Sequence, residues 1–287
     1  KDEYDEALAS FKLVENSKQY KKVVPYYIAQ IYFAEGRYDE LIDYATPLSQ
    51  TPSVKYILEL NKLIGNAWFE KGDYQRALPF LQKYNEQSAQ ITEKDVYQLA
   101  FTQYQLNDFG QAIKNFEELR SIDSPLGQNA LYNLADSYLQ TGDKTTARNV
   151  FLQASKMNYD PEIQQVCNFN FAKISYDLGN DRDAIRVLQD ISPVSVYYNE
   201  ARQLLSDIFL YSRDYEQALE LLGNIPVKTP DLQETYQKVA YYRGVQLYND
   251  IRLEEARSMF NRSLRNASND KYAALAMYWL GEMSYFE

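Results

Sequence analysis

Small and apolar residues recur along the chain at a spacing far longer than the period of one helix or strand. A first series has successive gaps of 34 to 38 residues: Ala7, Leu41, Ala77, Ala112, Ala147, Ala184, Ala218 and Ala256. A second series of small residues lies twelve positions before each member from the second onwards: Ala29, Gly65, Ala100, Ala135, Ala172, Ser206 and Gly244. Periods of this length indicate repeat architectures. The two series therefore predict pairs of helices that touch where the side chains are small.

A turn is expected between the two helices of each pair, five residues before each member of the first series. The residues at this position are Gly36, Gly72, Asn107, Gly142, Gly179, Arg213 and Ile251. Glycine and asparagine tolerate the left-handed conformation that ends many helices. An aspartate often follows, as at Asp73, and is suited to cap the next helix. Because Arg213 and Ile251 depart from this pattern, we expect their turns to be made in another way or to be strained.

This pattern resembles the tetratricopeptide repeat (TPR) family, which has a period near 34, two fixed small positions and a glycine at the turn. The resemblance implies an all-α fold, a right-handed α-solenoid of antiparallel helix pairs (the TPR superhelix) whose first helices line the concave face. We expect a single array over residues 1–287, with seven complete repeats between a lone second helix (1–20) and a lone first helix (270–287). The incomplete ends predict a fragment of a larger bacterial TPR protein.

Composition narrows the functional classes. The chain has no histidine, one cysteine and a net charge of −10. Histidine is absent, so the usual catalytic triads and most zinc sites are excluded, and no phosphate-binding loop or calcium loop motif is present. We therefore expect no enzyme, no cofactor and no metal. An acidic chain is repelled by phosphates, which disfavours nucleic acid and favours a neutral or basic partner. No apolar stretch is long enough for a transmembrane segment.

Tyrosine is in excess, with 27 residues. In each first helix, the residue three before the small position and the residue four after it are seven apart and share one face. We call this surface the first-helix face; aromatic residues fill six of eight positions in each set. The predicted partner-binding residues are Tyr26, Phe33, Lys62, Asn66, Phe69, Tyr97, Tyr104, Tyr132, Phe169, Tyr176, Tyr241 and Tyr248. Two interpretations stay open: the rings form an open ladder for a peptide, or they pack on neighbouring first helices.

Lys62 and Asn66 also match the first repeat of a co-chaperone subgroup of the family, which clamps a carboxylate at the end of its ligand. The following repeats depart from that subgroup, because Gln98, Asn129 and Asn133 stand where asparagine and basic residues are expected. Without those cations a carboxylate lacks its charge partners. We therefore do not expect a chaperone-tail clamp.

The expected function is a non-catalytic scaffold that binds a peptide or protein along a Tyr-rich concave face. One alternative is a glycan-binding component of a bacterial carbohydrate-uptake system, although such proteins carry long insertions that this chain lacks. Another is a regulatory repeat array of a larger signalling protein. Composition favours the periplasm or cell envelope over the cytoplasm. Apolar side chains near the C-terminal end suggest self-association there: Tyr272, Tyr278, Trp279, Tyr285 and Phe286.

Overall fold

A computed structural model describes residues 2–225 and 227–285 of the chain. In this part of the chain the structure has sixteen α-helices and no strand, which confirms the predicted all-α fold. The helices are α1 (Asp2–Val14), α2 (Val24–Ala34), α3 (Tyr38–Leu48), α4 (Ile57–Glu70), α5 (Tyr74–Gln87), α6 (Glu93–Gln105), α7 (Phe109–Glu118), α8 (Pro125–Gln140), α9 (Lys144–Ser155), α10 (Pro161–Asp177), α11 (Asp181–Gln189), α12 (Tyr198–Tyr211), α13 (Tyr215–Gly223), α14 (Pro230–Asn249), α15 (Leu253–Arg265) and α16 (Asp270–Tyr285).

The chain divides into two compact units, 1–160 and 161–287. In the first unit, each of the first helices α2, α4 and α6 packs on its own second helix and on the next first helix along the chain. Each second helix up to α7 also packs on the following first helix. In the second unit, α10, α12, α14 and α16 are related in the same way, with α11, α13 and α15 as second helices. Stacked antiparallel helix pairs are the arrangement that the sequence predicts.

The two series of small residues lie where the paired helices touch. Every member of the first series from Leu41 onwards is fully buried. A Cβ atom added to Gly65 would lie 2.8 Å from the side chain of Leu81 on the paired helix. A Cβ atom added to Gly244 would lie 2.7 Å from the ring of Phe260. The absence of a side chain at these two positions therefore lets a large residue of the second helix approach the backbone of the first.

The seven turns within the pairs all use a left-handed residue at the predicted position. The φ angles are +71° at Gly36, +73° at Gly72, +60° at Asn107, +85° at Gly142, +75° at Gly179, +63° at Arg213 and +61° at Ile251. The aspartate that follows caps the next helix in several repeats; the Asp73 carboxylate, for example, accepts a hydrogen bond from the backbone N–H of Arg76 at 3.0 Å. Arg213 and Ile251 thus have the same turn geometry as the repeats with glycine at this position. A branched Cβ is disfavoured in this conformation, so the turn at Ile251 is strained.

Replacing Ile251 with glycine is expected to raise the free energy of unfolding by about 1 kcal/mol, because the substitution relieves left-handed strain. The Ile251 side chain is exposed, so little packing is lost. Urea denaturation followed by circular dichroism measures the change. Gly179→Ala is the matched reverse change and should lower stability. An unchanged or lower stability of the Ile251→Gly variant would show that the turn is relaxed with isoleucine in place.

Buried glutamines fasten two of the links between repeats. Gln128 in α8 is fully buried; its Nε2 donates to the carbonyl of Met157 at 2.9 Å, and its Oε1 accepts from the N–H of Asp160 at 2.7 Å. Gln237 in α14 binds the backbone of Asn269 in the same way, with its Oε1 2.7 Å from the N–H and its Nε2 3.0 Å from the carbonyl. Both glutamines stand seven residues before the small position of their helix. This polar contact occurs at the same repeat position in α8 and α14, and it was not predicted.

The single cysteine, Cys167, lies fully buried in α10. Burial raises the pKa of its thiol to about 12, so it stays protonated at neutral pH. It fills space as a small apolar side chain. Within the described residues, each helix is too short or too polar to cross a lipid bilayer.

Candidate functional site

Aromatic rings at the first-helix face of the first unit pack against one another across α4 and α6. We call Phe69, Tyr74, Tyr97, Phe101 and Tyr104 the Phe101 cluster. The Phe101 ring is stacked with Tyr97, with the ring centres 5.8 Å apart, and meets Phe69 edge-on at 5.8 Å. Tyr74 and Tyr104 contact the same ring at 5.9 and 6.1 Å. Phe69 and Tyr74 belong to the preceding repeat, so their contacts with Phe101 join two neighbouring repeats, as the packing interpretation predicts.

The polar ends of the cluster reach the next first helix, α8. The Tyr104 hydroxyl donates a hydrogen bond to the Asp136 carboxylate at 2.6 Å. Burial, together with this carboxylate, raises the pKa of Tyr104. The Tyr97 hydroxyl accepts a hydrogen bond from Asn133 Nδ2 at 3.4 Å, and burial raises the pKa of Tyr97. Both hydroxyls are thus occupied by the protein itself.

Lys62 and Asn66 lie on α4, the helix that also carries Phe69. The Lys62 ammonium forms an ion pair of 2.6 Å with Asp95 and lies 4.9 Å from the centre of the Tyr84 ring. Asn66 is buried, with only 6% of its surface exposed. A ligand that used Lys62 would compete with Asp95, and one that used Asn66 would have to reach a buried side chain. Their predicted contact with a partner stays a prediction.

The other predicted residues of the first unit are half-buried. Tyr26 lies 5.1 Å from the Tyr56 ring, and its hydroxyl accepts a hydrogen bond from Gln30 at 2.6 Å. Phe33 contacts the ring of Tyr38 at 5.6 Å. Tyr132 contacts the ring of Phe151 at 6.3 Å. Each ring thus has an aromatic neighbour while part of its surface remains accessible.

In the second unit, three of the four predicted rings also serve packing. Phe169 is buried and stacked on Tyr197, with the ring centres 5.0 Å apart. Tyr241 is buried and accepts a hydrogen bond from Trp279 Nε1 at 3.3 Å. Tyr248 lies 4.7 Å from the same indole ring.

Tyr176 differs from these rings. It is half-buried at the end of α10 and lines an open cavity. Burial raises the pKa of its hydroxyl, and the nearby Asp207 carboxylate adds to this shift. Among the predicted residues of the second unit, Tyr176 is therefore the one whose surroundings best suit a ligand contact.

Two cavities open on the first-helix face of the second unit, and they share Asp207. The first has a volume of about 390 Å³ and lies between α10, α12 and the start of α14. The second has a volume of about 380 Å³. The first is lined by Phe169, Lys173, Asn199, Glu200, Gln203, Leu204, Asp207, Thr229 and Asp231. The second is lined by Tyr176, Asp207, Leu210, Tyr211, Arg213, Tyr215, Lys238 and Tyr242. We refer to the two as the acidic cavity and the tyrosine cavity.

Asp207 is a half-buried carboxylate with incomplete compensation. It accepts a hydrogen bond from Gln203 Nε2 at 3.2 Å, and Gln203 also donates to Thr235 at 2.8 Å. Burial raises the pKa of Asp207, and the Gln203 hydrogen bond and the charge of Lys238 oppose this shift in part. A carboxylate in such surroundings gains from any further cation or donor that reaches it.

Sequence reasoning did not select Asp207, Lys173 or Lys238 as contact residues. Asp207 and Lys173 directly follow the small residue of their helices, and Lys238 lies six residues before Gly244. On a helix these positions share the face already defined by three before and four after. Including them in the search for polar side chains would have found all three.

The aromatic residues near the C-terminal end differ in their exposure. Tyr278 and Tyr285 are 58% and 84% exposed. Tyr272 is buried, and Trp279 is half-buried against Tyr248. Phe286 lies outside the described residues. Self-association through this end stays a prediction.

Comparison with known proteins agrees with the repeat pattern. A family model described as the tetratricopeptide repeat protein 21 ARM repeat matches residues 104–214. Among proteins of curated function, none matches the sequence significantly. The matched region contains the Asn107, Gly142 and Gly179 turns. The TPR resemblance inferred from the sequence is confirmed.

Solved structures share the fold at low sequence identity. The C-terminal part of a TPR repeat-containing protein from Cytophaga hutchinsonii has a TM-score of 0.56 and 13% identity, with 87% of this chain and 98% of that chain covered. YrrB, described as a TPR protein with an unusual peptide-binding site, has a TM-score of 0.53 and 13% identity, covering 71% and 97%. Naa15/Naa10 bound to HypK-THB has a TM-score of 0.51 and 13% identity, covering 98% and 52%. At 13% identity these likenesses show the fold, stacked helix pairs of the TPR type.

Proposed function

We propose that this tetratricopeptide-repeat chain is a non-catalytic scaffold that binds an extended peptide segment of a protein partner along its first-helix face. The main contacts lie in the second unit, where the acidic cavity and the tyrosine cavity meet at Asp207. The observation that carries the proposal is this pair of adjoining cavities with aromatic walls and a half-buried carboxylate between them.

Several features support a peptide as the ligand. Tyrosine offers a large contact area, a polar tip and few rotatable bonds, which is why it is enriched where proteins bind one another. In an extended segment successive side chains project to opposite sides, so every second side chain faces the same surface. Two adjoining cavities suit two such side chains. YrrB, which has the same fold, is described as a TPR protein with an unusual peptide-binding site.

Tyr176→Ala is expected to weaken peptide binding about tenfold, the loss typical of an interface aromatic residue. Random dodecapeptides displayed on phage are selected on the protein, and the dissociation constants of the selected peptides are measured by fluorescence polarisation. The melting temperature should change by only a few degrees, because Tyr176 lies at the rim of a cavity.

Tyr97→Ala is the matched contrast within the same face. Its ring is stacked on Phe101, so its loss should lower stability by about 2 kcal/mol. Tyr20→Ala, an exposed tyrosine of the link before α2, should change neither binding nor stability. Peptides whose affinity is the same for the wild type and the Tyr176→Ala variant would contradict this placement of the site.

A further inference from the structure

The lining of the acidic cavity combines carboxylates with apolar side chains. Its lining includes three carboxylates, those of Glu200, Asp207 and Asp231, against one ammonium, that of Lys173. Phe169 and Leu204 supply apolar surface. A ligand group that fits this lining carries a positive charge on a flat or aliphatic body.

Asp207 is the most buried of these three carboxylates, and among the described residues no cation lies within ion-pair distance of it. Lys238 is near enough to lower the pKa of Asp207 but does not pair with it. The residue at the same repeat position in α8, Asp136, accepts a short hydrogen bond from Tyr104. The carboxylate of Asp95 in α6 is paired with Lys62. Asp207 therefore differs from Asp136 and Asp95, because its carboxylate can still accept a charged partner.

We propose that the acidic cavity binds the side chain of an arginine in the peptide partner, with the guanidinium donating to the carboxylate of Asp207. This inference rests on the proposed peptide-binding function and names the chemical group that anchors the peptide. Glu200 and Asp231 at the exposed rim attract the cation as it approaches.

Arginine fits this cavity better than lysine. The planar guanidinium donates two parallel hydrogen bonds to one carboxylate and lies flat on aromatic surface, whereas an ammonium is a compact and strongly hydrated charge. The volume of about 390 Å³ is ample for the side chain. Lys173 at the opening disfavours a second basic residue directly beside the first.

The neutral isostere citrulline tests the charge without changing the shape of the ligand. Peptides are selected on the wild-type protein from the random dodecapeptide library, and each conserved arginine is replaced in turn by citrulline. We expect one such replacement to weaken binding to the wild type about tenfold or more, since a partly buried charge pair loses one partner. Binding to the Asp207→Asn variant should change less than threefold on the same replacement, because its carboxylate is gone. Asp136→Asn is the matched control and should retain the full citrulline effect.

The outcomes separate this inference from the proposed function. Peptides that depend on Tyr176 but carry no arginine, or that show the same citrulline effect in the wild type and in Asp207→Asn, would overturn the arginine site and leave peptide binding in place. A library that yields no peptide dependent on Tyr176 would overturn both. Retained helicity and an unchanged urea midpoint of the Asp207→Asn variant show that a lost citrulline effect is not a loss of folding.

Discussion

Replacing Gly127 with alanine is expected to lower the free energy of unfolding by about 3 kcal/mol, since it forces atoms together in a packed site. Gly127 lies in the first turn of α8, where the link from α7 passes close to the helix. A Cβ atom there would lie 1.9 Å from the carbonyl oxygen of Ile122 and 2.8 Å from its carbonyl carbon. These are backbone atoms, so no rotation of a side chain relieves the clash. The link or the start of α8 has to move.

Gly110→Ala is the matched control for this substitution. Gly110 also lies in the first turn of a helix, α7, but nothing stands within 4 Å of its added Cβ atom. Alanine should therefore stabilise that helix slightly, by about 0.5–1 kcal/mol. Urea denaturation measures both variants. Equal effects of the two substitutions would show that the approach of Ile122 to α8 is not constrained.

Gln128→Leu is the second change with a large expected effect, a loss of about 3 kcal/mol. The leucine is of similar size but leaves the carbonyl of Met157 and the N–H of Asp160 without the partners that they have in the wild type. Each buried backbone group left unpaired costs about 1–3 kcal/mol. Because these groups lie in the link after α9, the loss should also increase amide hydrogen exchange there.

Two further variants serve as comparisons for Gln128→Leu. Gln237→Leu should destabilise the second unit by a similar amount, since Gln237 holds Ser268 and Asn269 with the same two atoms. Gln105→Leu, at an exposed position of α6, should leave stability within about 0.5 kcal/mol. If the links exchanged at the wild-type rate in Gln128→Leu, water would have replaced the glutamine.

The aromatic residues show where prediction from the sequence reached its limit. Periodicity placed Tyr97 and Tyr176 on equivalent faces of two first helices, and both interpretations of that face were open. The structure gives Tyr97 a stacked neighbour in Phe101 and gives Tyr176 a cavity wall. Phe101 lies one turn from Tyr97 on the same helix, and the residue at its repeat position in α10 is Lys173. A period defines equivalent positions but does not define their neighbours.

The turn residues show the opposite case. Gly72 and Asn107 were predicted to be left-handed from residue type, and Arg213 and Ile251 were the doubtful positions. All four have positive φ angles. The repeat therefore determines the backbone conformation at this position, because the chain must reverse direction between two helices within a few residues. Arg213 and Ile251 adopt this conformation although their side chains disfavour it.

The amino-acid sequence by itself determined the helix pairs, their turns and the close contacts at small residues such as Gly65 and Gly244. These features depend on local conformation and on side-chain size, and the same residue types recur at the same positions of successive repeats. Only the tertiary structure decided which polar side chains are already occupied, as Lys62 is by Asp95, and which remain open, as Asp207 does. The physical reason is that a charge is satisfied by whatever lies within a few ångströms of it, and that neighbour comes from another helix.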